Sequence, residues 1–363
     1  MVGKFAFGHC SPSALRQANL PTLRMTKHMS TKTISLAAAH DLVVAALTAN
    51  RTRADNARAV AEALVTAEAD GISGHGLSRV PSYAAQAKSH KVDGFATPTL
   101  SAPAPAALIV DAARGFAFPA IDLAVGALPD VARTQGVAVA AIRRSHHCGA
   151  AGHHVEKLAR AGVAALFFAN TPQGIAPWGG RRGLFGTNPI AFAAPRPGHD
   201  PVIVDLSLSK VARGSLLVAK QKGEKIPEGW ALDPQGKPTT DPDAAIAGTM
   251  APMGDAKGTA LALMVEMLAA GLTGAHFAYE ATSFFTAEGA APETGQLIIA
   301  LAPEILGGAQ AISHMAKLAA AVEAEPGARL PGVRRLQRRR AAADRGIDVP
   351  QALLEEMTRL AQV

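Results

Sequence analysis

Between residues 106 and 207 the chain returns five times to a short apolar run rich in β-branched or aromatic residues: AALIVDA, VAVAAIR, VAALFFAN, IAFAAP and PVIVDLS. Helix-like pieces, FPAIDLAVGALPDVARTQ and AGHHVEKLARAG, lie between them. No other feature constrains the fold as tightly. Short, almost wholly apolar runs bounded by turn formers read as buried strands. Strands that alternate with helices predict an α/β sheet, largely covered on both faces.

The flanks follow a different period. TISLAAAHDLVVAALTAN and RADNARAVAEALVTAEAD space their apolar residues three and four apart, which predicts helices over residues 33–70. Asp55 or Thr52 is the expected cap of the second helix, and Gly71 its end. A further helix is expected over residues 80–90, then a linker, DGFATPTLSAPAP, over residues 93–105. A long helix, GTALALMVEMLAAGLTG, and a helical tail, AQAISHMAKLAAAVEAE and PQALLEEMTRLAQ, complete the chain. The expectation is a helical domain over residues 29–105, with residues 310–363 packing back on it, and an α/β cofactor- and substrate-binding domain over residues 106–309. Residues 1–28 carry basic and no acidic side chains. A transit peptide has a similar composition, but Met29 opens a sensible start, MSTKTISLAAAHDL. Residues 1–28 are therefore expected to be a disordered extension or a mis-called start.

Charge and cysteine usage narrow the function classes. The net charge is +7, and five of the arginines lie in RRLQRRR, Arg334–Arg340. No aromatic residue is interleaved there to stack bases. The expectation is a patch that faces a phosphorylated ligand or solvent, with no nucleic-acid partner. Two cysteines, Cys10 and Cys148, give no disulfide framework, and a cytoplasmic location is expected. ALALMVEMLAAGL is broken by Glu266, so no membrane span is expected.

The chemistry-bearing residues cluster in loops. GISGHGLSR holds His75 between two glycines, with Arg79 four residues on. The dinucleotide fingerprint G-x-G-x-x-G and the Walker A sequence are both absent, so a dinucleotide would not bind by the usual βαβ turn. RRSHHCGAAGHHVEKLA follows a predicted strand, which places His146 and His147 at a strand's C-terminal end. The glycines after them open a helix whose free amides can hold an anion. His146, His147, His153 and His154 could be metal ligands, but adjacent histidines point apart and no carboxylate has a suitable spacing. No metal is expected. Cys148 has no third group to orient it as a nucleophile. NTPQGIAPWGGRRGLFGTNPIAFAAP is too long for a plain connection, which favours a binding loop. DLSLSKVARG sets Asp205, Ser207 and Ser209 just past a strand, ahead of Arg213 and Gly214, and Lys257 begins a helix. Together these loops suit a small anion and a phosphate-bearing cofactor.

DGISGHGLSRVPSY, RSHHCGAAGHH, APWGGRRGLFGTNPIAFAAP, DLSLSKVARG, IPEGWALDPQGKPTTDP, PMGDAKGTALALMVEML and RLPGVRR occur in that order. The chain resembles the type 2 malate/L-lactate dehydrogenases over roughly Ile34 to its C-terminus. That family includes ureidoglycolate and sulfolactate dehydrogenases and reductases of the cyclic imines Δ1-piperideine-2-carboxylate and Δ1-pyrroline-2-carboxylate. The resemblance implies a non-Rossmann fold, a homodimer, a small anionic substrate, and NADH or NADPH as hydride donor. It implies that His75 is the proton donor, that Arg79 clamps the substrate carboxylate, and that Thr187, Arg213 and Gly214 touch substrate. His146, His147, Cys148, Gly149, Ala150, Asp205, Leu206, Ser207, Lys257, Pro331, Gly332, Arg334 and Arg335 match cofactor-contacting positions. The implied reaction interconverts a 2-hydroxy acid and its 2-oxo acid; the alternative is reduction of a cyclic 2-imino acid to proline or pipecolate. A dinucleotide-binding protein without catalysis is a third reading. Two positions depart from the pattern. Gly74 and Ser215 stand where ketimine reductases carry a serine and an aspartate that relay protons to the histidine.

Overall fold

The computed structural model describes residues 30–362; the expectations for residues 1–28 and for Cys10 lie outside them. The chain opens with β1 (Thr31–Ile34), α1 (Leu36–Ala49) and α2 (Ala54–Ala69). Two 3-10 turns, Ser73–His75 and Leu77–Arg79, lead into α3 (Val80–Lys88). Then come β2 (Thr99–Ala104), β3 (Ala107–Asp111), α4 (Ala117–Gln135), β4 (Val137–Ser145), α5 (Ala151–Arg160), β5 (Ala164–Ala169), β6 (Ile190–Ala194) and β7 (Val202–Leu206). A small lobe follows: α6 (Arg213–Lys222), β8 (Ala231–Leu232), β9 (Pro238–Thr239), α7 (Pro242–Ala247) and β10 (Thr249–Met250). α8 (Ala256–Val265) runs directly into a π-helical turn, Glu266–Gly271. The chain ends with β11 (Thr294–Leu301), α9 (Pro303–Gly307), α10 (Ala311–Ala324), α11 (Val333–Arg345), β12 (Ile347–Pro350) and α12 (Gln351–Leu360).

The central sheet is mixed, in the order β2-β3-β4-β11-β5-β6-β7. β3 and β4 pair in parallel, and the other neighbours pair antiparallel. Period-2 alternation divides its side chains between two cores. Ala138, Ala140 and Ile142 of β4, Phe167 of β5 and Ile298 of β11 pack against α4 and α5. Val139, Ala141, Leu166, Phe168 and Leu297 face α8 and the π turn. A third core joins α1, α2 and α3 to Ala342 of α11, Ile347 and Val349 of β12, and Met357 of α12.

Several local expectations need correction. Residues 33–34 are strand, not helix: β1 pairs antiparallel with β12, Ile34 opposite Ile347. Arg53, not Thr52 or Asp55, occupies the N-cap of α2 and makes no side-chain cap bond. Asp55 instead accepts from the Arg53 guanidinium at 2.6 Å. Gly71, with φ +75°, does follow the end of α2. The supposed linker forms β2, an exposed edge strand whose register shifts between Ser101 and Ala104. Pro103 is tolerated there because an edge strand has only one neighbour to bond. β11, at the centre of the sheet, escaped the sequence reading altogether.

Candidate active site

The sheet topology gathers the candidate loops at one edge. β4, β5 and β7 run in the same direction, so His146–Ala150, Thr171 and Asp205–Ser207 all emerge on that side. β6 runs the other way and begins there, just after Thr187. A cleft of about 1620 Å³ lies between this edge, the turns that follow α2, the small lobe and residues 279–285.

His75 is delivered by the first 3-10 turn, whose backbone closes with His75 N–H donating to Ile72 O at 2.8 Å. The turn is tied down by Glu68: Ser73 Oγ donates to Oε1 at 2.6 Å and Leu77 N–H to Oε2 at 2.8 Å. A side chain at position 76 would displace the Glu68 carboxylate that ties the turn. A Cβ there would stand 2.2 Å from Glu68 Oε2. Gly74 is different, because a Cβ would meet nothing within 4 Å.

The His75 ring stacks on His147 with centroids 5.1 Å apart and planes inclined by 12°. Its Nδ1 is buried without a hydrogen-bond partner, which leaves Nε2 to face the cleft. Burial, then the nearby Arg79 charge, pushes the His75 pKa down to about 4. His147 is anchored from behind, with Tyr83 Oη 2.6 Å from its Nδ1. Burial raises the Tyr83 pKa and lowers that of His147 well below its ordinary value. Tyr83 therefore keeps its proton and, having no other acceptor among the described residues, donates it to Nδ1. His147 is then neutral, with its own proton on Nε2.

Arg79 lies at the N-cap of α3. Its Nε donates to Gly74 O at 2.7 Å, and its guanidinium carbon sits 4.4 Å from the centroid of the Phe285 ring. Nη1 is buried and has no acceptor among the described residues. A cation held in this way is costly unless an anion meets it. Thr187 is fixed by its backbone N–H, which donates to Thr171 Oγ1 at 2.9 Å. Arg213 begins α6 and donates weakly to Ile246 O at 3.4 Å. Asp205 accepts from Arg335 Nη1 at 2.8 Å.

The cleft brings together His75, Arg79, His147, Cys148, Gly149, Ala150, Thr187, Asp205, Ser207, Arg213, Gly214 and Arg335. It does not bring in His146, Leu206, Lys257, Pro331, Gly332 or Arg334. His146 lies in the core behind His147, where Nε2 donates to Gln86 Oε1 at 3.0 Å and burial lowers its pKa to about 3. The four histidines considered as ligands take four separate partners: Gln86, Tyr83, Asp70 and Cys148 O. Burial pushes the Cys148 thiol up to about 12, far from a nucleophilic thiolate.

The arginine-rich segment forms much of α11, and ion pairs take up most of it. Arg335 meets Asp205, Arg340 meets Asp200, and Arg339 bridges Asp70 and Glu156. The segment does not simply face solvent or a ligand, because these carboxylates come from distant parts of the chain.

Tyr83, Phe285 and Glu266 contribute to the site without having been singled out as site residues. Arg79, Tyr83 and Gln86 are four and three residues apart, one helical face, and that spacing could have flagged Tyr83. No local signal marks Phe285.

The sequence profile of the malate/L-lactate dehydrogenase family matches residues 34–358. The chain is 51% identical to a (2R)-3-sulfolactate dehydrogenase (NADP(+)) of Chromohalobacter salexigens, over 89% of this chain and 96% of that protein. It is 41% identical to a Δ1-pyrroline-2-carboxylate/Δ1-piperideine-2-carboxylate reductase of Pseudomonas putida, over 84% and 89%. The crystal structure of Δ1-piperideine-2-carboxylate reductase from Pseudomonas syringae pv. tomato superposes with a TM-score of 0.86 at 39% identity, covering 91% of this chain and all of that one. With the profile spanning both the His75 turn and the sheet edge that faces it, the chain belongs to the malate/L-lactate dehydrogenase family.

Proposed function

We propose that this protein is an NAD(P)H-dependent oxidoreductase that interconverts a small 2-hydroxy acid and its 2-oxo acid, and that the preferred acid carries a second anionic group, as malate and 3-sulfolactate do. The observation that carries this reading is the pairing of His75 with Arg79 on one cleft wall, where Arg79 Nη1 is buried without an acceptor. A second observation favours a doubly charged acid. Arg181, Arg182 and Arg213 also line the cleft, and among the described residues only Arg335 of the cleft arginines has a carboxylate partner.

The residues present fit a dinucleotide. A pocket for one small molecule measures roughly 300–1,000 Å³, and the cleft exceeds that, so it has room for cofactor and acid together. His147, Gly149, Ala150, Asp205 and Ser207 would hold the cofactor, outside any βαβ turn; the mostly antiparallel sheet supports this non-Rossmann mode. When bound, NADH or NADPH supplies the hydride. Arg79 grips the substrate carboxylate in a fork that fixes which face of the carbonyl is presented. His75 holds the proton at Nε2 and delivers it to the carbonyl oxygen, or takes it back in the reverse direction. An anion on Arg79 cancels part of the positive field that keeps His75 neutral, so substrate itself favours protonation of His75.

Ser73, the nearest hydroxyl that could stand in for the missing relay serine, donates to Glu68 and makes no hydrogen bond to His75 among the described residues. The departures at Gly74 and Ser215 favour the hydroxy-acid reaction over the cyclic-imine one. The helical domain of residues 29–105 and 310–363, less β2, which joins the central sheet, would pair with the α/β domain of residues 106–309 to frame the cleft. Exposed Leu263, Met264 and Met267 on α8 and its π turn, with Leu272 just beyond, support a homodimer; the location proposed for it is the cytoplasm. The test is a substrate panel of pyruvate, oxaloacetate, sulfopyruvate and the two cyclic imines, with NADH and NADPH, read at 340 nm. Fastest turnover of oxaloacetate or sulfopyruvate is expected, and Arg79→Lys should raise KM for both, since lysine lacks the fork. Turnover of the imines alone would overturn the reading.

A further inference from the structure

We propose that Phe285 is a specificity-determining residue: its ring fixes the plane of the Arg79 guanidinium, and the buried Lys91 ammonium holds Phe285 in place. This rests on the assignment of Arg79 as the substrate clamp. A guanidinium has two faces and a fork of donors. In Arg79 the Nε is spent on Gly74 O, and the guanidinium carbon lies over the Phe285 ring, 4.4 Å from its centroid. What remains is the outer edge, whose Nη1 is buried and has no acceptor among the described residues. Stacking therefore aims the free edge of the fork and removes the rotations that would let it swing away.

Phe285 lies in a segment without regular structure, between the π turn and β11. Its position is nevertheless well determined. Lys91 is 2% exposed, and its Nζ donates to Ser283 O at 2.7 Å, Thr286 O at 3.1 Å and Glu288 O at 2.8 Å. Gln86 Nε2 donates to Phe284 O at 2.9 Å, and Ser89 Oγ to Ala287 O at 2.9 Å. Five carbonyls flanking Phe285, those of residues 283, 284, 286, 287 and 288, are thus occupied from α3 and the residues just after it. Arg79 is the N-cap of the same helix. Both halves of the stack hang on α3, so the separation of ring and guanidinium is set by one rigid element. Burying a lysine with no carboxylate partner is unfavourable, and here three carbonyls compensate it. That arrangement fixes a loop; it gains the core no apolar contact.

The experiment compares Phe285→Ala, Phe285→Trp and Arg79→Lys in the full-length enzyme. Phe285 is 42% exposed, so the alanine variant should fold. Phe285→Ala should raise KM for the 2-oxo acid on the order of tenfold, with NADPH affinity unchanged by titration of cofactor fluorescence. Phe285→Trp should keep a near-normal KM, and its indole emission should change when oxaloacetate or sulfopyruvate is added to the cofactor-loaded protein. Lys91→Met should reproduce the KM effect of Phe285→Ala. If Phe285→Ala leaves KM unchanged while Arg79→Lys raises it, the clamp stands and the role of Phe285 is overturned. If neither variant alters KM, the assignment of Arg79 itself falls.

Discussion

A proton donor works best with a pKa near the working pH, yet burial and Arg79 hold His75 down at about 4. In the free enzyme at neutral pH the ring is therefore a base, ready to accept the proton of a hydroxy acid. The expected consequence is a directional pH profile. For oxidation of the hydroxy acid, kcat/KM should be flat near neutrality and fall only as pH approaches about 4. For reduction it should fall steadily as pH rises, because the protonated fraction shrinks tenfold per unit. His75→Gln should lower kcat by roughly 10²–10⁴-fold with unchanged cofactor affinity, measured by steady-state kinetics beside fluorescence titration. Equal losses in turnover and cofactor binding would remove the proton role. His75 and Arg79 were legible in the sequence because a glycine-flanked imidazole with an arginine four residues on is a local pattern. The link from Tyr83 to His147 was not, because the two lie 64 residues apart and only the fold brings them together.

At the scale of the element, the π turn after α8 positions a buried carboxylate. Glu266 is 3% exposed. Its Oε1 accepts from Gly186 N–H at 3.2 Å and Asn188 Nδ2 at 2.9 Å, and its Oε2 from Ala278 N–H at 3.1 Å and Asn170 Nδ2 at 3.3 Å. These donors flank Thr187 and begin the segment that carries Phe285. Asn188 is held at φ +40°, a conformation asparagine tolerates better than most residues. Glu266→Gln places an NH2 against donors, so stability should drop by about 2 kcal/mol and KM for the acid should rise more than kcat falls. Urea melts and steady-state kinetics check both, and an unchanged KM would separate Glu266 from the site. The sequence presents Glu266 only as a charge that interrupts an apolar helix. Its role depends on four donors from three segments. β11 is hidden for a similar reason: TGQLIIAL follows the long irregular stretch of residues 272–293, which separates it from the helix before it. β3, β4 and β5 are legible from apolar runs that alternate with helices, and β6 and β7 from their apolar runs alone.

At the scale of the whole molecule, the arginine-rich α11 ties the helical core to the sheet. Arg339 donates to both oxygens of Asp70 at 2.7 Å and to both oxygens of Glu156 at 3.0 Å, linking the end of α2 to α5. His153 Nε2 stands 2.9 Å from the same Asp70. Composition reveals a basic run but not the carboxylates that meet it, since Asp70 lies 269 residues away.

The buried histidines make this assembly sensitive to acid. Burial holds His146 at about 3, His75 and His154 at about 4, and His147 well below its ordinary value. Unfolding returns each to roughly 6.5. Between about pH 6.5 and 4 the unfolded chain therefore binds protons that the native chain refuses, and stability falls as pH falls through that window. Each fully titrating histidine contributes about 1.4 kcal/mol per pH unit. Glu266 acts in the opposite sense, because burial raises its pKa and it takes up a proton more readily when folded; one such group offsets only part of four. Asp70 joins the loss at the acid end, where its carboxyl, held below the usual value by Arg339 and His153 against the opposing effect of burial, becomes protonated. The urea midpoint should therefore be near constant from pH 8 to 7 and drop steeply from pH 6.5 to 4.5. A midpoint independent of pH across that window would mean that the histidines are not held neutral, and with them would go the account of His75 as a base in the free enzyme.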